Sequence, residues 1–247
     1  MLKGSCKQTL NNESLPLQEG DLCFIPPYQE HTLEIFDDSL AINILIQKES
    51  FEEILLPTLR SNTILSDFFL SHLYSKNPMQ RLVFMTGNDE AVRDDILEIY
   101  METLCDDEYT QAIICHMIPI FFTRLLRRHG KHINTTTKEK QGNRQAIEII
   151  RYIYNNYKTI SLTQLAEYFH YSETHISRLI KDESGYNYKD FVRTIRLNQC
   201  KSLLLASPAS IARIAEMVGY ETPESLIRAF EKAFQMTPTQ YRRIHAK

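Results

Sequence analysis

The sequence predicts a mainly α chain with a small β region at its amino end, organised as two domains. Residues 1 to 46 read as extended: short apolar runs alternate with turn residues. From Gln47 onward the apolar residues recur at helical spacing. A two-helix pattern first met at Ser161–Ile180 returns from Ser210, which is rarer than a single copy.

In the extended part, Leu22-Cys23-Phe24-Ile25 lies between Gly20-Asp21 and Pro26-Pro27. His31–Ile35 follows, then an Asp37-Asp38-Ser39 turn and the β-prone Leu40–Ile46. These read as consecutive antiparallel strands of a small barrel or sandwich. His31 stands without a second histidine at metal-ligand spacing, so it reads as a strand histidine and no metal or cofactor is expected. Phe24, Tyr28 and His31 could line a pocket, and core and turn roles explain them equally well.

The helical part opens with Ser50–Thr58, stopped by Pro57, and Asn62–Tyr74, with Pro78 beyond. Arg81–Met85 is a short apolar piece, strand or helical turn. Glu90–Leu104 places Val92, Ile96, Ile99 and Tyr100 on one stripe. Tyr109–His129 is the most apolar helix and carries Pro119 inside it, a kink site. It is expected either buried within a helical subdomain or, on its wide apolar stripe, facing a second subunit. Arg124, Arg127, Arg128 and Lys131 end it, where the helix dipole favours cations.

Gly130–Gly142 is polar and aperiodic, and the domain boundary is expected there. The expected organisation is 1–132 (β over 1–46, helical over 47–132), a linker at 133–142 and a second domain at 143–247. Charge divides with it. The chain carries 28 Lys and Arg against 31 Asp and Glu, of which Asn143–Lys247 holds 15 and 10, leaving 13 and 21 for the remainder. A basic second part beside an acidic first part suits a nucleic-acid-binding half joined to one with another task.

The second domain begins with a helix over Asn143–Tyr157. In SLTQLAEYFHYSETHISRLI, Leu162, Leu165, Ala166 and Phe169 share one helix face; after His170-Tyr171, Ile176, Leu179 and Ile180 share another. Ser161 and Ser172 stand where side-chain oxygens cap the two helices. This is the plan of a helix-turn-helix, whose second helix enters the major groove. Its outward positions are Glu173, Thr174, Ser177, Arg178 and Lys181, with His175 either among them or packed at the corner. A long helix, Tyr188–Leu205, joins this unit to a second: Ser210–Val218, a Gly219-Tyr220 turn and Pro223–Phe234, with Pro223, Glu224, Ile227 and Arg228 outward. Arg228 could instead pair with Glu224 one turn back.

Arg178 suits guanine O6 and N7, and Thr174 and Ser177 suit thymine methyls or base edges. Phosphate contacts are expected at the helix amino ends near Ser161 and Ser210, with Lys181, Lys189 and Arg213 adding side chains. Arg196, inside the linking helix, is expected in a structural ion pair. Glu224 and Glu231 place acids on the second recognition helix, and base discrimination is expected mainly from unit one.

From about Gln145 to Arg243 the chain resembles the DNA-binding domain of the AraC/XylS family. The likeness rests on Ser161-Leu162…Leu165-Ala166, Ser172…Ser177-Arg178-Leu179, Arg196-Leu197 and Ala212–Gly219-Tyr220. It continues through Arg228-Ala229-Phe230-Glu231-Lys232 and Thr237-Pro238…Tyr241-Arg242. It implies a seven-helix double helix-turn-helix domain in a cytoplasmic regulator, most often an activator, that binds double-stranded promoter DNA and works with RNA polymerase. LQEGDLCFIPPYQEHTLEI resembles part of the cupin-like sensing domains of that family, here with few residues before it. That implies a partial barrel for effector sensing or homodimerisation. Leu226, Ile227, Glu231 and Gln235 depart from the family's usual residues; Gln235 stands at a common glycine.

Two other functional classes stand against this reading. No GxSxG, HExxH or phosphate-cradling glycine loop appears, so no enzyme is expected. The remaining alternative is a regulator that binds no DNA and acts by heterodimerisation. The five cysteines (Cys6, Cys23, Cys105, Cys115, Cys200) are scattered without CxxC spacing and read as reduced core thiols. No window of eighteen uncharged apolar residues suggests a membrane span.

Overall fold

The structure, a computed structural model, describes residues 1–10, 12–26, 29–36, 38–46, 63–76, 81–131, 133–135 and 141–245. It divides into two compact units, one of Met1–His72 and Pro78–Lys138, the other of Leu73–Asn77 and Glu139–Lys247.

The first unit contains two three-stranded antiparallel sheets. Strands β1 (Ser5–Leu10), β2 (Glu13–Gln18) and β4 (His31–Ile35) form one in the order β2-β1-β4, with Gln8 opposite Leu15 on one side and Leu33 on the other. Cys6, Gln8 and Leu10 alternate inward along β1, the two-residue period of a half-buried strand. The second sheet is β3 (Leu22–Phe24), β5 (Leu82–Phe84) and β6 (Ile133–Thr135), ordered β3-β5-β6. Phe24 is half-buried, packing edge-on to Phe84 at 5.6 Å and against Phe122 at 5.1 Å. His31 is exposed, its ring nitrogen 3.0 Å from the Gln29 carbonyl. Tyr28 and the Ser50–Thr58 segment lie outside the described residues.

Three corrections concern the expected boundaries. The residues after 47 are not all helical, because Leu82–Phe84 is a buried central strand. The expected 133–142 linker contains β6 at its start and helix from Gln141. Among Leu40–Ile46 only Leu40 pairs, through an isolated bridge to Lys3. Two strands of three residues and a lone bridge offer too little length for a period to register.

Helices α1 (Thr63–Tyr74), α2 (Glu90–Thr103) and α3 (Thr110–His129) complete the amino-terminal half of the sequence. Asp89 caps α2, accepting from the amides of Ala91 and Val92 at 3.1 and 3.4 Å. The same carboxylate takes Arg128 Nη1 at 2.9 Å and His129 Nε2 at 2.8 Å, tying the start of α2 to the end of α3. The His129 hydrogen bond first, then the Val92 amide and Arg128, hold its carboxyl below the usual carboxylate range. Arg124 pairs with Asp95. Two of the cations expected to serve the helix dipole are therefore also ion-pair partners.

The expected burial of α3 does not hold. Its buried residues are Phe121, Phe122 and Leu125, whereas Ile113 and Ile120 are 41% and 51% exposed. With Tyr100, Met101, Leu104 and Tyr109 they leave large apolar side chains in solvent along α2 and α3. Cys105 is likewise exposed, not a core thiol; Cys6 and Cys200 are buried, and burial pushes the Cys23 and Cys200 thiols up to about 11 and about 12. Among the described residues no helix is long and apolar enough to cross a membrane, and none groups three metal-ligating side chains.

Candidate nucleic-acid interface

The second unit is built from α4 (Gln141–Asn156), α5 (Leu162–Phe169), α6 (Glu173–Ser184), α7 (Tyr188–Ala206), α8 (Ile211–Val218), α9 (Pro223–Phe234) and α10 (Pro238–His245). Each short helix starts where the sequence supplies a cap. Ser161 Oγ accepts the Gln164 amide at 3.1 Å while Gln164 Oε1 accepts the Ser161 amide at 3.0 Å, a complete capping box. Ser172, Ser210 and Thr222 accept the amides of His175, Arg213 and Ser225, each at 3.2 Å. Such caps contribute about 1 kcal/mol each.

The two helix-turn-helix units share their corner. Tyr171 N–H donates to Ala166 O and Tyr220 N–H to Ala215 O, both at 2.9 Å. At the preceding residue the backbone turns left-handed, with φ 57° at His170 and 88° at Gly219. Leu165, Ala166, Ile176 and Ile180 are buried in the first unit, and Ile214, Ala215, Val218, Leu226 and Phe230 in the second. The apolar stripes thus face inward, leaving the opposite face of α6 polar and that of α9 mixed, with Pro223 and Ile227 beside Glu224 and Arg228.

Two arginines close these units. Arg196 on α7 donates to the carbonyls of Tyr157 at 3.0 Å and Lys158 at 2.9 Å, just before α5, and lies over the Tyr220 ring at 5.8 Å. Arg242 on α10 donates to Leu204 O at 3.0 Å and Ala209 O at 2.6 Å, just before α8. Arg196 is structural as expected, yet its partners are carbonyls at a helix end, not a carboxylate. The role of Arg242 was missed, because a guanidinium bound to backbone acceptors has no partner residue type to search for.

On α6, Glu173, Thr174, Arg178 and Lys181 are exposed, and His175 and Ser177 half-buried. The His175 ring packs against Tyr171 at 4.7 Å, while Arg178 Nη2 donates to His175 Nδ1 at 3.3 Å. The histidine therefore belongs to the corner and also steadies Arg178. Glu173 accepts from Thr163 Oγ1 at 2.6 Å, joining α5 to α6. On α9, Glu224 and Arg228 are exposed and Pro223 and Ile227 half-buried. Among the described residues Arg228 forms no ion pair with Glu224. Ser161 and Ser210 lie exposed at the amino ends of α5 and α8, and Lys189 lies exposed in the first turn of α7. Arg213 pairs with Glu216 at 2.5 Å, both side chains more than half exposed, a contact that adds little stability and that a phosphate could displace.

A family model described as a helix-turn-helix domain matches residues 165–244. The multiple antibiotic resistance protein MarA of Escherichia coli is 30% identical over 95 residues, which cover 38% of this chain and 75% of MarA. An uncharacterised HTH-type transcriptional regulator of Haemophilus influenzae is 23% identical over 254 residues, covering 98% of this chain and 84% of the relative. The C-terminal domain of AraT, a response regulator from Geobacillus stearothermophilus, is similar with 32% identity and a TM-score of 0.41, covering 45% of this chain and 91% of that domain.

Proposed function

The chain belongs to the AraC-type helix-turn-helix transcription regulators, and on that premise we propose that it activates transcription by laying α6 and α9 into adjacent major grooves of promoter DNA. The observation that carries this is the duplicated unit: two capped helix pairs with the same corner hydrogen bond, the outer face polar on α6 and mixed on α9. Arg178 pairs with guanine O6 and N7, for about 1–3 kcal/mol of discrimination. Thr174 and Ser177 meet neighbouring base edges, with Glu173 and His175 beside them; Pro223, Glu224, Ile227 and Arg228 line the second groove. The first-turn amides near Ser161 and Ser210, with Lys181, Lys189 and Arg213, hold phosphates. RNA polymerase is the partner such an activator works with, and the cytoplasm is where it works.

A mobility-shift titration at two salt concentrations, on a duplex the wild-type chain selects from a randomised pool, tests this. Binding that weakens steeply with salt supports it. No retained duplex favours the alternative of a regulator acting only by heterodimerisation.

The first unit serves dimerisation and effector sensing in this reading. The apolar side chains exposed along α2 and α3, among them Met101, Leu104 and Ile120, support a homodimer. A cavity of about 200 Å³ near Leu22, Asp89, Val92, Arg93 and Ile96, smaller than the ~300–1,000 Å³ of typical ligand pockets, is where a small effector would enter in this reading. Sedimentation of the wild type against Ile120→Asp reads the dimer: the wild type should sediment as two chains and the variant as one. A wild type that sediments as a single chain removes that part of the proposal.

A further inference from the structure

The second unit includes residues far from it in sequence. Leu73–Asn77, whose described residues run to Lys76, belongs with Glu139–Lys247. This strap meets the carboxyl end of α6. Glu183 stands in the last turn of that helix, is 7% exposed, and carries a carboxylate where the helix dipole disfavours one. A buried carboxylate in that position needs donors. The strap supplies one to the carboxylate and one to the backbone beside it: Ser75 Oγ donates to Glu183 Oε1, and the Lys76 amide donates to the Glu183 main-chain carbonyl at 2.8 Å. The second bond satisfies one of the carbonyls a helix leaves open at its end.

Two further contacts fix the strap. The Tyr74 ring is 7% exposed and lies 5.4 Å, edge-on, from Phe191 of α7 and 6.3 Å from Tyr154 of α4. The stem of Lys76 fills the space beside Gly185, its Cε 3.0 Å from where a β-carbon on that glycine would lie. Among the described residues the second recognition helix has no counterpart. Its end is Phe234 followed by Gln235, and Ala233, the residue in the place of Glu183, is exposed.

We propose that Tyr74, Ser75 and Lys76 are positioning residues for the first recognition helix. They touch no DNA; they cap α6 from outside the double helix-turn-helix and so set how well Arg178 is presented to the first half-site. This rests on the DNA-binding reading above. It gives a segment of the amino-terminal half of the sequence direct control over one of the two DNA-reading units.

The test uses the full chain with Ser75→Ala, Tyr74→Ala, Glu183→Ala and the conservative Glu183→Gln, which keeps an acceptor for Ser75. Hydrogen exchange without DNA is the first readout. Ser75→Ala should speed exchange about tenfold in the last turn of α6 and leave the last turn of α9 unchanged. Unaltered exchange in α6 overturns the proposal whatever the chain binds. On a duplex selected by the wild type, Ser75→Ala and Glu183→Ala should weaken binding about tenfold. Protection should be lost at the half-site of α6 and kept at that of α9, with Glu183→Gln close to wild type. Equal loss at both half-sites, or wild-type affinity in all variants, overturns it. A wild type that selects no duplex while α6 exchange still responds overturns the DNA-binding reading and leaves no half-site for the strap to control. If Tyr74→Ala fails to fold, the serine and glutamate variants decide.

Discussion

His170, Gly219 and Gln235 occupy left-handed backbone at φ 57°, 88° and 57°, and each ends a helix of the DNA-binding unit. Only the middle one is glycine, and there the choice has a second cause. A β-carbon on Gly219 would stand 2.5 Å from the Lys158 carbonyl oxygen, so the turn packs directly on backbone. Gly219→Ala should therefore cost at least about 2 kcal/mol, since strain and clash add. At Gln235 the side chain bears the left-handed penalty and returns only a long, exposed hydrogen bond from Nε2 to the Lys232 carbonyl at 3.3 Å, so Gln235→Gly should gain about 0.5–1 kcal/mol. Urea midpoints of the two variants check both signs; a stabilised Gly219→Ala or a destabilised Gln235→Gly would contradict the reading. The departure at Gln235 was legible in the sequence, and so was a turn at Gly219, though not its left-handed backbone. The involvement of Glu173 with Thr163, and of Glu183 with Ser75, was not, because an exposed-looking acid on a helix gives no sign of a partner 10 or 108 residues away.

Helices with a cap and an apolar stripe are read well from residues alone. Ser161, Ser172, Ser210 and Thr222 each precede a stripe, and the structure starts a helix immediately after each one. The strands show the opposite case. Leu82–Phe84 is fully buried between β3 and β6, and three apolar residues in a row fit a helical turn as well as a strand. Ile133–Thr135 sits at the edge of a polar, linker-like run, where only its partner strand makes it β. Apolar richness likewise misled for α3, because its stripe is wider than the packing it receives within one chain and the excess stays exposed. The strap was invisible for a different reason: Leu73–Lys76 reads as the end of one helix, and nothing local marks it as a cap for another.

For the molecule as a whole, the two DNA-reading units repeat in plan and differ in support. Unit one has the capping box, the Thr163–Glu173 tie, the His175–Arg178 contact and the strap at the end of its recognition helix. Unit two has a glycine corner packed on Lys158 and, at its outward positions, Glu224 beside Arg228. More fixed contacts around Arg178 mean less freedom to lose on binding, which supports the proposal that the first unit is the principal reader. In the proposed reading the second unit mainly anchors. One competition experiment addresses this division of labour most directly. Arg178→Ala and Arg228→Ala, in the full chain, are each titrated against the selected duplex and against duplexes changed at single positions of either half-site. Arg178→Ala should flatten the preference at its half-site by about 1–3 kcal/mol, roughly 5- to 150-fold, while Arg228→Ala weakens binding with sequence preference largely intact. Equal relaxation by the two substitutions, or a larger one from Arg228→Ala, would contradict unit one as the principal reader.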